Sequence, residues 1–113
     1  MRAFEVAQLA AEQAARDQRY YEFIRIPALS MGLYVLPAGG VDPQQPHSED
    51  EVYYVVGGQA QIQVAGEDRP VQPGSIVVVE ANVAHRFHTI TEDLAVLVFF
   101  APAEYSRAPN SQD

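Results

Sequence analysis

From Tyr20 onward the chain breaks into short runs rich in β-branched and aromatic residues, none longer than seven: Tyr20–Ile26, Leu33–Leu36, Val52–Val56, Ala60–Val64, Ile76–Val79, Ala84–Ile90 and Leu94–Phe100. Turn chemistry divides them, in Pro37 through Gly40, Gly57-Gly58, Gly66-Glu67-Asp68, Pro73-Gly74 and Thr91-Glu92-Asp93. Branched and ring side chains fit a pleated surface, and glycine, proline and aspartate supply the backbone angles of turns. Many such strands at close spacing specify an all-β sandwich or barrel. Ahead of them, residues 3–18 are rich in alanine and glutamine and hold no glycine or proline, which predicts a helix. Its large apolar residues, Phe4, Val6 and Leu9, sit at its beginning, so it docks by that end. The expected organisation is a helical segment over 1–19, a barrel over 20–101 and a flexible, proline-broken tail over 102–113.

Composition removes several classes of chemistry. There is no cysteine, which excludes disulfides, thiolate metal sites and thiol nucleophiles. All seven basic residues are arginine, so a lysine Schiff base or a phosphate-binding loop is excluded too. A net charge of −8 makes nucleic acid and anionic membranes poor partners. The start lacks the apolar core of a secretory signal, and Leu94–Ala103 is too short to span a bilayer, so a cytoplasmic location is expected.

Two of the three histidines fall in comparable strand-and-turn settings, His47 just ahead of Glu51 and His85 after the Pro73-Gly74 turn. Alternate residues of a strand share a face, so Gln45 and His47 point one way, Glu51, Tyr53 and Val55 share a face, and so do His85, Phe87 and Thr89. A closed barrel can bring these faces to one interior point. Two imidazoles and a carboxylate suffice to hold a divalent ion with positions left for substrate.

The spacing resembles the two motifs of the cupin superfamily of small jelly-roll barrels. The first motif is a glycine, five residues, His-x-His, three or four residues, a glutamate, six residues and a glycine; it aligns with Gly39, Gln45, His47, Glu51 and Gly58. The second is a glycine, five residues, Pro-x-Gly, two residues, a histidine, three residues and an asparagine. It aligns with Gly74, Glu80, Asn82, His85 and Thr89, with proline, glycine and asparagine replaced. The resemblance covers roughly residues 30–100 and implies a double-stranded β-helix barrel, a homodimer, and metal ligation by His47, Glu51 and His85. Gln45 stands where the family has a histidine; an amide oxygen is a weaker donor, which makes it a loose fourth ligand.

Other polar residues have more ordinary readings. Glu49 and Asp50 read as a solvated acidic turn, although Glu49 reaches the metal if the strand runs on. His88 lies on the face opposite His85, and Asp42 reads as a local turn cap. Tyr34, Phe87 and Phe99 are expected to line a mostly apolar substrate pocket, with Tyr53 as a catalytic hydrogen-bond donor beside the ion. Leu94–Phe100 is apolar on both faces, which also points to a homodimer, unless the N-terminal helix covers the second face. One divalent transition metal per chain is expected (Fe, Mn, Ni, Zn or Cu, with iron favoured). The functional expectation is dioxygenase chemistry on a small organic acid, enol or diketone. The alternatives are a metal-dependent hydrolase or isomerase and a non-catalytic binder. A metal-free sugar-nucleotide epimerase is disfavoured, because no lysine is present to bind a diphosphate.

Overall fold

The structure is a computed structural model, described here for residues 1–43 and 46–107. One helix, α1 (Val6–Ala14), precedes six strands: β1 (Tyr20–Ile26), β2 (Leu29–Leu36), β3 (Asp50–Val64), β4 (Glu67–Val71), β5 (Ile76–Val79) and β6 (His85–Ala101). All pairings are antiparallel, in the order β1-β2-β6-β3-β4, with β5 also paired to β3. The helix is shorter than the predicted 3–18. It buries Leu9, while Phe4 packs edge-on against Phe23 of β1 at 5.1 Å.

Two predicted strand pairs are each one long strand. Val52–Val56 and Ala60–Val64 join through Gly57-Gly58 into β3, and Ala84–Ile90 joins Leu94–Phe100 as β6. The β3–β6 ladder runs from Asp50↔Ala101 to Val64↔His85, and its register shifts between Val55 and Gln61. Gly58 sits at φ +88°, and a Cβ there would lie 2.2 Å from the Asp93 carbonyl oxygen, so only glycine permits the bend. Strand β4 falls where a turn is expected from Gly66-Glu67-Asp68. Its Pro70 is tolerated because β4 is the last strand of the order, an edge that leaves the missing N–H unneeded.

The core follows the alternation of the strands. From β3 it takes Tyr53, Val55 and Ile62, and from β6 Phe87, Leu94, Val96, Val98 and Phe100; Leu36 and Val79 complete its centre. Phe99, expected in the pocket, lies on the outer face instead, half-buried, and Phe100 takes the inward place. No helix among the described residues is long and apolar enough to cross a membrane.

The polypeptide after β6 is not a loose tail throughout. Residues 102–107 form a turn held against the body by several hydrogen bonds. Residues 108–113 lie outside the described residues.

Candidate metal centre

Glu51 pairs with Phe100 at one end of the β3–β6 ladder, and His85 pairs with Val64 at the other. At about 3.3 Å per residue a flat ladder would hold them roughly 40 Å apart. Instead Glu51 Oε1 stands 3.1 Å from His85 Nε2 and 3.7 Å from His47 Nδ1, so the sheet coils until its ends meet. One donor atom from each of His47, Glu51 and His85 lies within 4.8 Å of the others. Donors about 2.1 Å from one ion stand roughly 3 to 3.5 Å from each other; the Glu51–His85 pair meets that spacing and the Glu51–His47 pair is slightly wider.

The two histidines are held from behind. Asn82 N–H donates to the His47 carbonyl, tying the β5–β6 turn to the segment before β3. Ala81 N–H donates to Asp50 Oδ1 at 2.9 Å, so Asp50 is exposed but not idle. Asn82 occupies the position of a motif glycine and has φ +65°, a left-handed conformation that asparagine accepts better than most residues. The next residue's carbonyl, that of Val83, accepts from His85 Nδ1 at 2.8 Å. A carbonyl can only accept, so Nδ1 carries the proton and Nε2 turns its lone pair toward Glu51. This is the usual second bond of a metal-binding imidazole.

His85 is buried at 6% exposure and Glu51 at 1%. Neither oxygen of Glu51, nor His85 Nε2, nor His47 Nδ1, has a hydrogen-bond partner in good geometry. Leaving buried lone pairs and a carboxylate facing one another without a proton or cation between them costs several kcal/mol in order of magnitude. A cation at their centre removes that cost, so the residues present fit a divalent metal. For both histidines burial pushes the pKa down, but the carboxylates reverse it. Glu104 and Glu51 bring His47 above its ordinary value, and Glu51 with the Val83 carbonyl does the same for His85.

Glu104 is a site residue that the sequence reading missed. Its Oε2 lies 2.9 Å from His47 Nε2, so the His47 ring is flanked by a carboxylate on each nitrogen. The turn that carries it is clasped at several points. Glu104 N–H donates to Ser30 Oγ at 2.9 Å, and its carbonyl accepts from Arg25 Nη2 at 2.7 Å. Glu49, expected in a solvated turn or reaching the metal, instead accepts the Tyr105 and Arg107 N–H groups at 2.7 and 2.8 Å, and the Ser48 hydroxyl. It has 1% exposure. Burial opposes its ionisation, but these three donors outweigh that and hold its pKa below the ordinary carboxylate value.

The centre opens into a cavity of about 790 Å³, lined by Tyr20, Tyr34, His47, Glu51, Phe100 and Glu104 among others. Of the residues expected to meet substrate, Tyr34 lines it. Phe87 and Tyr53 are enclosed in the core, at 1% and 0% exposure, with rings 4.9 Å apart. Tyr53 therefore faces Glu51 rather than the cavity; burial, then the Glu51 carboxylate, raises its pKa well above the usual value. Tyr20, not singled out from sequence, reaches the cavity by lying across Gly32, where any Cβ would come within 2.2 Å of its ring.

The remaining predicted residues are accounted for elsewhere. Asp42 is not a local cap: it is buried and accepts the Tyr34 hydroxyl at 2.6 Å and the Phe87 N–H at 2.8 Å, joining β2 to β6. His88 points away from the centre and pairs with Asp68 at 2.6 Å. Thr89, at φ +49°, is exposed and leaves the His85 face. Gln45 lies outside the described residues.

A model of the cupin domain matches residues 32–101, the span that holds both ligand-bearing segments. The chain belongs to the cupin family. This cupin is 53% identical over 104 residues to an uncharacterized protein of Streptomyces coelicolor, covering 92% of this chain and 99% of that one. Among solved structures it resembles KdgF from Halomonas sp., with TM-score 0.67, 25% identity and coverage of 74% and 76% of the two chains. It also resembles TT1209 from Thermus thermophilus, with TM-score 0.73, 22% identity and coverage of 91% and 99%. The fold is thus the all-β double-stranded β-helix of cupins, a fold that serves both metal-dependent enzymes and non-catalytic binders.

Proposed function

We propose that this cupin is a metal-dependent enzyme acting on a small organic acid, enol or diketone, and that dioxygenation is its reaction. The observation that carries the reading is the convergence of His47 Nδ1, His85 Nε2 and the Glu51 carboxylate, buried and without good hydrogen bonds, beside a cavity sized for a small molecule. A bound divalent transition metal, iron in the first instance, supplies Lewis acidity and oxygen activation to such a site. The protein's own residues do the positioning. Val83 fixes the His85 tautomer and Glu104 holds His47 Nε2. Val98 and Phe100 keep water from one wall, and Tyr20 offers its hydroxyl to a bound oxygen atom.

One observation favours a second reading, a hydrolase or isomerase of a small carbonyl compound. Glu104 places a second carboxylate in the cavity wall, where it can accept a proton from substrate without any oxygen being consumed. Protein purified without chelator or metal-affinity resin is assayed for metal content, then loaded with iron(II) and given small dicarbonyls and hydroxy acids at an oxygen electrode. Oxygen uptake with turnover is the expected result. Turnover that persists without oxygen moves the assignment to the second reading, and binding with no turnover of any compound refutes catalysis.

A further inference from the structure

Charge in the cavity wall is one-sided. Glu51 and Glu104 both line it, and no arginine does; the chain has no lysine to supply. Two described arginines near this end of the barrel are committed elsewhere. Arg19 Nη1 donates to the Val41 carbonyl at 2.9 Å. Arg25 pairs with Glu22 and donates to the main-chain carbonyl of Glu104, and does not line the cavity. A divalent ion at His47, Glu51 and His85 would have its two charges matched by these two carboxylates, so little attraction remains for an anion. The net charge of −8 adds a field of the same sign. The polar groups left for a ligand carry no charge: the Tyr20 hydroxyl, buried and without a partner, and the Gln18 side chain; the Tyr105 hydroxyl is already engaged by Glu104. The Tyr34 hydroxyl is already given to Asp42.

We propose that Glu104 makes this pocket select uncharged, hydroxyl- or enol-bearing chelators and reject dicarboxylates of the same size. The proposal rests on the metal-centre reading and narrows its substrate class. A dicarboxylate would bring its charge within several ångströms of Glu104 with no arginine lining the cavity to offset it, a like-charge contact in a partly dry pocket. A neutral 1,3-dicarbonyl presents the same pair of oxygens without that repulsion. Uncharged ligands therefore lose nothing at Glu104, and anions lose most there.

Pentane-2,4-dione and malonate form a matched pair, since both offer oxygens in a 1,3 relationship and differ in charge. The chain is first titrated with manganese(II) alone by calorimetry, and the loaded protein is then titrated with each compound, as wild type and as Glu104→Gln. The clasp is held by main-chain groups of residue 104 and by Glu49, so the amide variant keeps the fold; its melting curve checks this, with Glu104→Ala as the second variant. Removing a unit charge across a pocket of this width should tighten malonate about tenfold. Pentane-2,4-dione should change by less than about twofold. Malonate affinity that is unchanged in both variants, or a rise shared equally by the two compounds, overturns the proposal while leaving the metal centre intact. A chain that takes up no manganese overturns the metal centre, and the selectivity argument with it.

Discussion

Replacing Glu49 with alanine should release the C-terminal clasp while leaving the barrel folded. Glu49 holds the Tyr105 and Arg107 amides through separate oxygens, at 2.7 and 2.8 Å. Hydrogen bonds to an ionised group are worth about 1.5–3 kcal/mol each. At the low end of that range the pair is worth about 3 kcal/mol, or roughly a hundredfold in the opening equilibrium. Native-state hydrogen exchange reads this directly: the amides of Tyr105 and Arg107 should exchange about a hundredfold faster, and those of β3 and β6 much as before. Glu49→Gln should fall between, because the amide group accepts one N–H but turns its own NH₂ toward the other. Acid should imitate the alanine variant. The folded pKa of Glu49 is depressed, so its stabilisation is present above the unfolded value near 4.5 and is lost as pH falls through the folded one. Exchange at residues 105 and 107 that is the same in wild type and Glu49→Ala would refute the clasp.

Other outcomes follow from the same geometry. His85→Ala should abolish binding of a divalent metal and Gln45→His should tighten it, as read by calorimetry; unchanged affinity in both would reject the ligand set. Metal affinity should rise with pH across the range where His47 and His85 titrate, because both pKa values are raised and the metal displaces their protons. Proton release measured in buffers of different ionisation enthalpy should confirm the sign, and affinity independent of pH would exclude histidine ligation. In the metal-free protein the linkage runs the other way: the histidines' stabilisation is full below the unfolded value of 6.5 and is lost as pH rises through the folded values, which thermal melts test. The outer sheet face carries Met31, Phe99, Val52 and Val78 in one cross-strand row and Leu97, Tyr54 and Ile76 in the next, with Val78 63% and Ile76 65% exposed. A homodimer packed through this face should appear by light scattering at micromolar concentration, and Val78→Glu should shift it to monomer; a wild type that is already monomeric rejects the dimer.

His47, Glu51 and His85 were legible because ligation needs fixed residue types at fixed places on alternating strands, and both patterns are local. The phase of β6 was not. Ala95, Leu97 and Phe99 are as apolar as Val96, Val98 and Phe100, so hydropathy gave no means of choosing the inward set, and Phe99 was placed in the pocket where Phe100 stands. Strand β4 was masked by Gly66 and Pro70, which read as turn residues unless the strand is known to be an edge. Glu104 lies beyond Pro102 in a polar stretch with no period to assign it a face, and it reaches His47 only through contacts with Ser30, Arg25 and the Glu49-held turn. Glu49 carried the same signal as its acidic neighbours; only the fold distinguishes a carboxylate aimed at the turn 103–107 from one aimed at solvent. Tyr20 left one trace, Gly32, a glycine within an otherwise apolar strand that no turn requires.

The coiled β3–β6 ladder also fixes when the chain could acquire a metal at this site. Glu51 and His85 occupy opposite ends of that ladder, so no fragment short of the paired strands brings them together. During synthesis β3 emerges well before β6, and His47 and Glu51 alone make a poor site. Pairing so distant in sequence is among the slower steps of folding. Any metal bound here would therefore arrive late, at a finished pocket and not at a nascent chain. The ion taken up depends on which metal is available to the folded protein, and an unfolded chain cannot compete for it on equal terms.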